Sequence, residues 1–154
     1  MAGFTISKQI DASPEAVFAV LVDVSKMPER IPEITKIELL TPGPIGVGSK
    51  IAETRGMFGK PTTETFEVTE FEPGKRFTMV ATSCGVEYVC IHRLSPDEKG
   101  GTQFELEMQM KPKSLVAKLM APMGWLMKGM MKKAIAKDLD SLAVAALRKE
   151  AEPI

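Results

Sequence analysis

Apolar positions alternate with polar ones along most of this chain and switch to a helical spacing in two places. Residues 4–10 set Phe4, Ile6 and Lys8 against Thr5, Ser7 and Gln9, which predicts a strand. Residues 34–40 and 50–55 read as further strands, separated by the turn-rich Thr41-Pro42-Gly43-Pro44 and Gly46-Val47-Gly48. A loop is expected over residues 56–61. Residues 62–71 then alternate, with Phe66 and Val68 on one face and Thr65, Glu67 and Thr69 on the other. Glu72-Pro73-Gly74-Lys75 is a hairpin turn, and residues 76–82, 86–94 and 102–110 are three more strands.

Helical spacing comes first after residue 13. Ser13 suits the N-cap, because its hydroxyl accepts a free backbone N–H, and Pro14 suits the first helical position, where no N–H is needed. Ala16, Val17, Val20, Leu21 and Val24 then recur at helical intervals. Pro28 and Pro32 limit the next helical piece, near residues 27–31, to a short one. The second helical region spans residues 115–147, with a break expected at Pro122 and Gly124. Past Gly129, residues Met131, Ile135, Leu139, Leu142 and Ala146 share a face. Strands in meander order imply an antiparallel sheet, and only the terminal helix is long enough to cover it. The fold class is therefore α+β, as a single domain over residues 1–150.

The 154 residues suffice for one sizeable core, and 20 basic against 20 acidic side chains leave no overall field that favours nucleic acid. Cys84 and Cys90 do not form a CxxC pair. The start, Met1-Ala2-Gly3-Phe4-Thr5, lacks the basic and apolar regions of a secretory signal, and no apolar run is long enough to span a bilayer. The expectation is a cytoplasmic protein.

The order of these signals resembles the SRPBCC proteins, also called START-like or helix-grip proteins, in the polyketide cyclase/dehydrase-like branch. The resemblance covers nearly the whole chain. It rests on Ile10-Asp11-Ala12-Ser13-Pro14-Glu15-Ala16-Val17-Phe18, on Pro32, and on Gly46-Val47-Gly48-Ser49. It continues through Val68-Thr69-Glu70-Phe71-Glu72-Pro73 with Arg76-Phe77, Arg93-Leu94-Ser95-Pro96 with Gly101-Thr102, and Asp138-Leu139 with Leu142 in the last helix. It implies a curved antiparallel sheet of about seven strands gripping a long C-terminal helix, two short helices after the first strand, and an apolar cavity between sheet and helix. Such relatives include lipid carriers, hormone receptors and cyclases, so the fold does not choose among functions. Many of them carry a tryptophan before the second proline of a Pro-x-x-x-Pro element. Here Arg30 and Ile31 stand there, which implies an altered pocket mouth.

By parity, the cavity side of the sheet carries Glu53 and Arg55, Phe66, Phe77, Tyr88 and His92, and Phe104 with Met108; Gly124 and Met127 join them from the helix. These ten are the candidate ligand-binding residues. His92, the only histidine, is a candidate acid or base, or else a histidine hydrogen-bonded in the core, since no acid is placed to orient it. Tyr88 and Glu53 are the other catalytic candidates. Glu53 and Arg55 could bind a polar group as a pair, or lie solvated at a strand end. No metal-ligand spacing, GxSxG, P-loop or GxGxxG context is present, so neither a metal nor a cofactor is expected.

Residues 111–137 carry Lys111, Lys113, Lys118, Lys128, Lys132, Lys133 and Lys137 and no acid, together with Met120, Met123, Met127, Met130, Met131 and Trp125. As core or pocket wall, this segment packs on the sheet, with methionines as an adaptable lining. As a peripheral membrane contact, its lysines and tryptophan meet anionic headgroups. Three functions remain open. The first is binding of a small hydrophobic ligand such as a lipid, quinone or aromatic polyketide. The second is a cyclase or dehydratase using His92, Tyr88 or Glu53. The third is a non-catalytic membrane- or protein-interaction module. The oligomeric state, monomer or homodimer, is also open.

Overall fold

A computed structural model describes residues 2–57 and 59–151, apart from the side chains of Ala2, Met57 and Trp125. Seven strands run β1 Ala2–Ile10, β2 Ile34–Leu39, β3 Lys50–Met57, β4 Lys60–Glu72, β5 Arg76–Ser83, β6 Val86–Pro96 and β7 Thr102–Pro112. They form one antiparallel sheet in the order β1-β7-β6-β5-β4-β3-β2, so the first two strands are its two edges. The chain travels between those edges through α1 Pro14–Val22, a 3-10 turn at Val24–Lys26 and α2 Met27–Arg30. Ser13 Oγ accepts from the Ala16 amide at 3.2 Å, the N-cap bond expected from Ser-Pro. Bulges interrupt the ladders between Val68 and Glu70 and between Ile34 and Lys36, where an extra residue adds bend and twist.

After β7 come α3 Leu115–Leu119 and α4 Ala121–Ala151. The break falls at Met120, ahead of the expected Pro122 and Gly124. Pro122 disfavours helical backbone in the residue before it and offers no N–H to Lys118, so the disruption appears upstream while Gly124 continues the helix. The expected loop at residues 56–61 is instead the end of a hairpin. Gly56 pairs with Pro61 and Met57 with Lys60, so little of that segment is left to open as a loop.

The C-terminal half of α4 lies on α1 and β1. Ala143 and Ala146, both buried, let it approach closely, and Leu139 joins Phe4, Val17, Phe18, Val20 and Phe104 in one core. Lys8 Nζ on Asp140 at 2.6 Å and Ser13 Oγ on Glu150 at 2.9 Å fasten its outer side. Thr102, fully buried, satisfies its hydroxyl on the Ala12 carbonyl at 2.7 Å. Met27, Ile31 and Ile34 form a smaller cluster beside Leu142.

The beginning of α4 departs from the pocket-wall reading. Leu115, Val116, Leu119, Met120, Met123, Leu126, Met127 and Met130 are all exposed, Leu126 at 73 %. Within the basic segment it is Met131 that reaches the interior wall, followed by Ala134 and Ile135. The side chain of Trp125 lies outside the described residues. Among the described residues, no helix is long and apolar enough to cross a membrane.

Candidate functional site

The concave side of the sheet and α4 do not close on each other along their whole length. Between them lies a cavity of about 270 Å³, partly open to solvent. Its floor is Phe77, Cys90, His92, Leu106 and Met108, all buried. Met131, Ile135, Leu139 and Leu142 descend from α4, one helical turn apart, and Leu21, Met27 and Ile31 close the end beneath α1 and α2. Gly56 and Ala134 also line it and are exposed, so the cavity meets water between the β3–β4 hairpin and α4. Ile31 is part of the wall.

Glu53, Arg55, Phe66, Phe77, Tyr88, His92 and Met108 are brought together on this lining, as strand parity implied. Phe104 is not. It is 1 % exposed and packs in the core, 6.1 Å from the His92 ring, beyond the cavity floor. Gly124 and Met127 are not either. They sit on the exposed opening turns of α4, before that helix meets the cavity.

His92 is held in one state. Its ring stacks on Phe77 with centroids 4.1 Å apart and planes 6° from parallel. Nδ1 lies 3.2 Å from the Phe77 carbonyl oxygen, so it carries the proton and donates it there. Nε2 is left as an acceptor, 4.0 Å from the Cys90 sulfur. Burial pushes the imidazole pKa down to about 4, so the ring is neutral near pH 7. Burial likewise pushes the Cys90 thiol up to about 12, which keeps it a protonated, unreactive group. Cys84, by contrast, is an exposed free thiol on the β5–β6 turn.

The charged groups of the cavity, Glu33, Glu53, Arg55, Glu64 and Asp138, come from β3, β4, α4 and the residue just before β2. Arg55 Nε donates to Glu53 Oε1 at 3.0 Å along β3, and Arg55 Nη1 donates to Asp138 Oδ2 at 2.9 Å across to α4. Desolvation raises both Glu53 and Asp138 above the usual carboxylate range, and Arg55 opposes that rise. Lys137 Nζ donates to Glu33 Oε1 at 2.7 Å, which lowers the Glu33 carboxyl. Two oxygens of this group, Asp138 Oδ1 and Glu33 Oε2, are sealed from solvent and have no hydrogen-bond partner among the described residues. Burial also raises the Tyr88 phenol.

Sequence reasoning missed Asp138 and Glu33 as site residues. A signal for Asp138 was present: it falls three residues after Ile135 and four before Leu142, an acid within the apolar stripe of α4. Glu33 carries no such mark. Among the described residues, no three His, Cys, Asp or Glu side chains gather as a metal site.

No curated protein matches the chain in sequence. The architecture is that of several solved structures. It is similar to Ara h 8.0201, with a TM-score of 0.77 and 15% identity over 96% of this chain and 98% of that one. It is also similar to the Zhui aromatase/cyclase from Streptomyces sp. R1128, with a TM-score of 0.78 and 17% identity over 96% of this chain and 94% of that one. The protein TTHA0849 from Thermus thermophilus follows at 0.69 and 16%, over 96% of both chains. At these identities the likeness is one of fold, the helix-grip fold. A family model described as polyketide cyclase / dehydrase and lipid transport matches residues 1–152. With the sheet, the gripped helix and the cavity in place, the chain belongs to that polyketide cyclase/dehydrase and lipid transport family.

Proposed function

We propose that this protein binds a small, mostly apolar molecule between the sheet and α4. The observation that carries the reading is the cavity: mostly apolar side chains on its floor and helix wall, with a few polar groups, the charged ones being Glu33, Glu53, Arg55, Glu64 and Asp138. Ligand sites have this composition, an apolar lining with a few placed polar groups. At about 270 Å³ the space lies just below the ~300–1,000 Å³ typical of such sites, which favours a compact ring system over a two-chain lipid. The family description and the aromatase/cyclase names among the structural neighbours point in the same direction.

Burial of about 200 Å² of ligand surface at ~25 cal/mol per Å² contributes about 5 kcal/mol. Association entropy offsets much of that, so firm binding needs polar contacts as well. Binding without turnover is favoured over a cyclase. The neutral His92 ring spends its proton on Phe77, and Glu53 is engaged by Arg55. Native mass spectrometry of protein taken from its own host tests the reading. A co-purifying apolar small molecule is expected. The absence of one, together with failure to bind naphthalene, would remove it.

A second reading concerns how the ligand arrives. The exposed apolar residues of α3 and early α4 lie amid lysines and no acids, and lead along α4 to Met131 and Ala134 on the cavity wall. An anionic membrane surface would cover those side chains and pair with the lysines. Flotation on anionic vesicles, weakened when Lys128, Lys132 and Lys133 are replaced, is the expected result. Flotation insensitive to those lysines would count against it.

A further inference from the structure

We infer that the polar end of the ligand is a hydrogen-bond donor, a hydroxyl or an amine, and that the cavity rejects carboxylates. This rests on the proposed binding in the cavity and narrows its ligand class. Asp138 is 7 % exposed and lines the cavity, yet its Oδ1 has no partner among the described residues. Glu33 Oε2, on the same lining, also has no partner among the described residues, although the Glu33 side chain as a whole is 32 % exposed. A buried carboxylate oxygen left unpaired is costly, and an ionised carboxylate only accepts hydrogen bonds, so its complement is a donor.

The positive charge nearby is already shared among carboxylates, although Arg55 keeps further N–H donors. Arg55 gives Nε to Glu53 and Nη1 to Asp138, and Lys137 is on Glu33. Four carboxylates that line the cavity, Glu33, Glu53, Glu64 and Asp138, thus stand against two cations, Arg55 and Lys137. An incoming carboxylate would find like charge there, and a ketone would leave Asp138 Oδ1 and Glu33 Oε2 without a donor. A hydroxyl or amine would give its hydrogen to Asp138 Oδ1 or Glu33 Oε2 and leave the ring system on the apolar floor.

The test is a calorimetric titration of the whole protein with five probes: naphthalene, naphthylmethanol, naphthylmethylamine, methyl naphthyl ketone and naphthoate. The alcohol and the amine are each expected to bind at least tenfold tighter than naphthalene, and naphthoate more weakly than either. The order of alcohol and amine tells a neutral donor from a cationic one. Failure of all five would fall on the cavity reading itself. Naphthalene binding with naphthoate or the ketone equal to the alcohol would overturn the donor inference alone. Asp138→Asn loses its Arg55 pair and could unfold, so Glu33→Gln is the companion variant. With each affinity taken relative to naphthalene in the same protein, Glu33→Gln is expected to cut the alcohol-to-naphthoate ratio at least threefold. An unchanged ratio in both variants would contradict the assignment.

Discussion

Arg55 Nη1 and Asp138 Oδ2 lie 2.9 Å apart although 83 residues separate them in the chain. The bond reaches from β3 to α4 across the cavity, at a point where sheet and helix do not otherwise pack. It supports the roof of a space that apolar contact alone would tend to close.

Removing one partner of that pair leaves a charge among apolar walls. Arg55→Met is expected to lose about 2–4 kcal/mol in urea unfolding, somewhat under the ~3–5 of a fully buried pair because the Arg55 side chain is 22% exposed. Glu53 and Asp138 would then lack their cation, and their raised pKa values would rise further. Carboxyls raised in the folded state stabilise it below those values, so the variant should lose stability as pH rises through them. The double variant Arg55→Met/Asp138→Leu should recover part of the loss, the remainder being the Glu53 carboxyl still left without its cation. A double variant as unstable as the single one would show that the pair is not the cause.

His92 sets an acid limit. Its folded pKa is about 4 against 6.5 when exposed, so below pH 6.5 the unfolded chain binds a proton that the folded chain refuses. Stability should therefore fall as pH drops from about 6.5 to about 4, by roughly 3 kcal/mol in all, and this contribution then levels off. His92→Gln can keep the donor to the Phe77 carbonyl but does not titrate. Its stability should lack that component of the slope across the same window. Equal slopes in the two proteins would mean that His92 is not buried as a neutral ring.

The β5–β6 hairpin turns through Cys84 and Gly85, with φ of 51° and 76°. Two positive φ values suit glycine and asparagine, whereas cysteine is strained there. Cys84→Asn should raise stability by about 0.5–1 kcal/mol in thermal melts. Gly85→Ala should do the reverse. A Cβ at Gly85 would overlap Ser114, whose hydroxyl caps α3 at the Ala117 amide. A Cys84→Asn protein that melts lower than the parent would contradict this.

The exposed face of α3 and α4 separates stability from surface binding. Leu119 and Leu126 are each 73 % exposed, so Leu119→Glu/Leu126→Glu should change unfolding by less than ~0.5 kcal/mol. Its partition onto anionic vesicles should fall at least fivefold. A large loss of stability would mean that these side chains are covered within the molecule.

The succession of elements and the antiparallel sheet were legible in the sequence because alternation and turn residues are local signals, as at Phe66, Val68 and Gly74, whereas the gripped helix was implied by the family resemblance and the pairing of β1 with β7 was not read at all. The face of each strand was legible for the same reason, hence Glu53, Tyr88 and His92 on the cavity side. How far along a strand or helix the cavity extends was not. Phe104 shares parity with Met108 yet sits four residues deeper in the core, and Met127 precedes Met131 by one turn but remains outside. Such limits depend on where α1 and α4 touch. The expected loop at residues 56–61 failed because Gly56 and Pro61 were read as breakers, whereas they face each other as partners in the β3–β4 ladder. Glu33 could not be marked in advance, since its partner Lys137 is 104 residues away.

The central claim is that the space beneath α4 receives the ligand. Ala134 lies on the cavity wall at its open side and is itself exposed, so Ala134→Trp should fold as the parent does while filling the entrance. Naphthalene titrated by calorimetry against both proteins measures this most directly. Saturable binding to the parent is expected, with at least tenfold weaker binding to Ala134→Trp and unfolding unchanged. Equal affinity for the two proteins would contradict the claim.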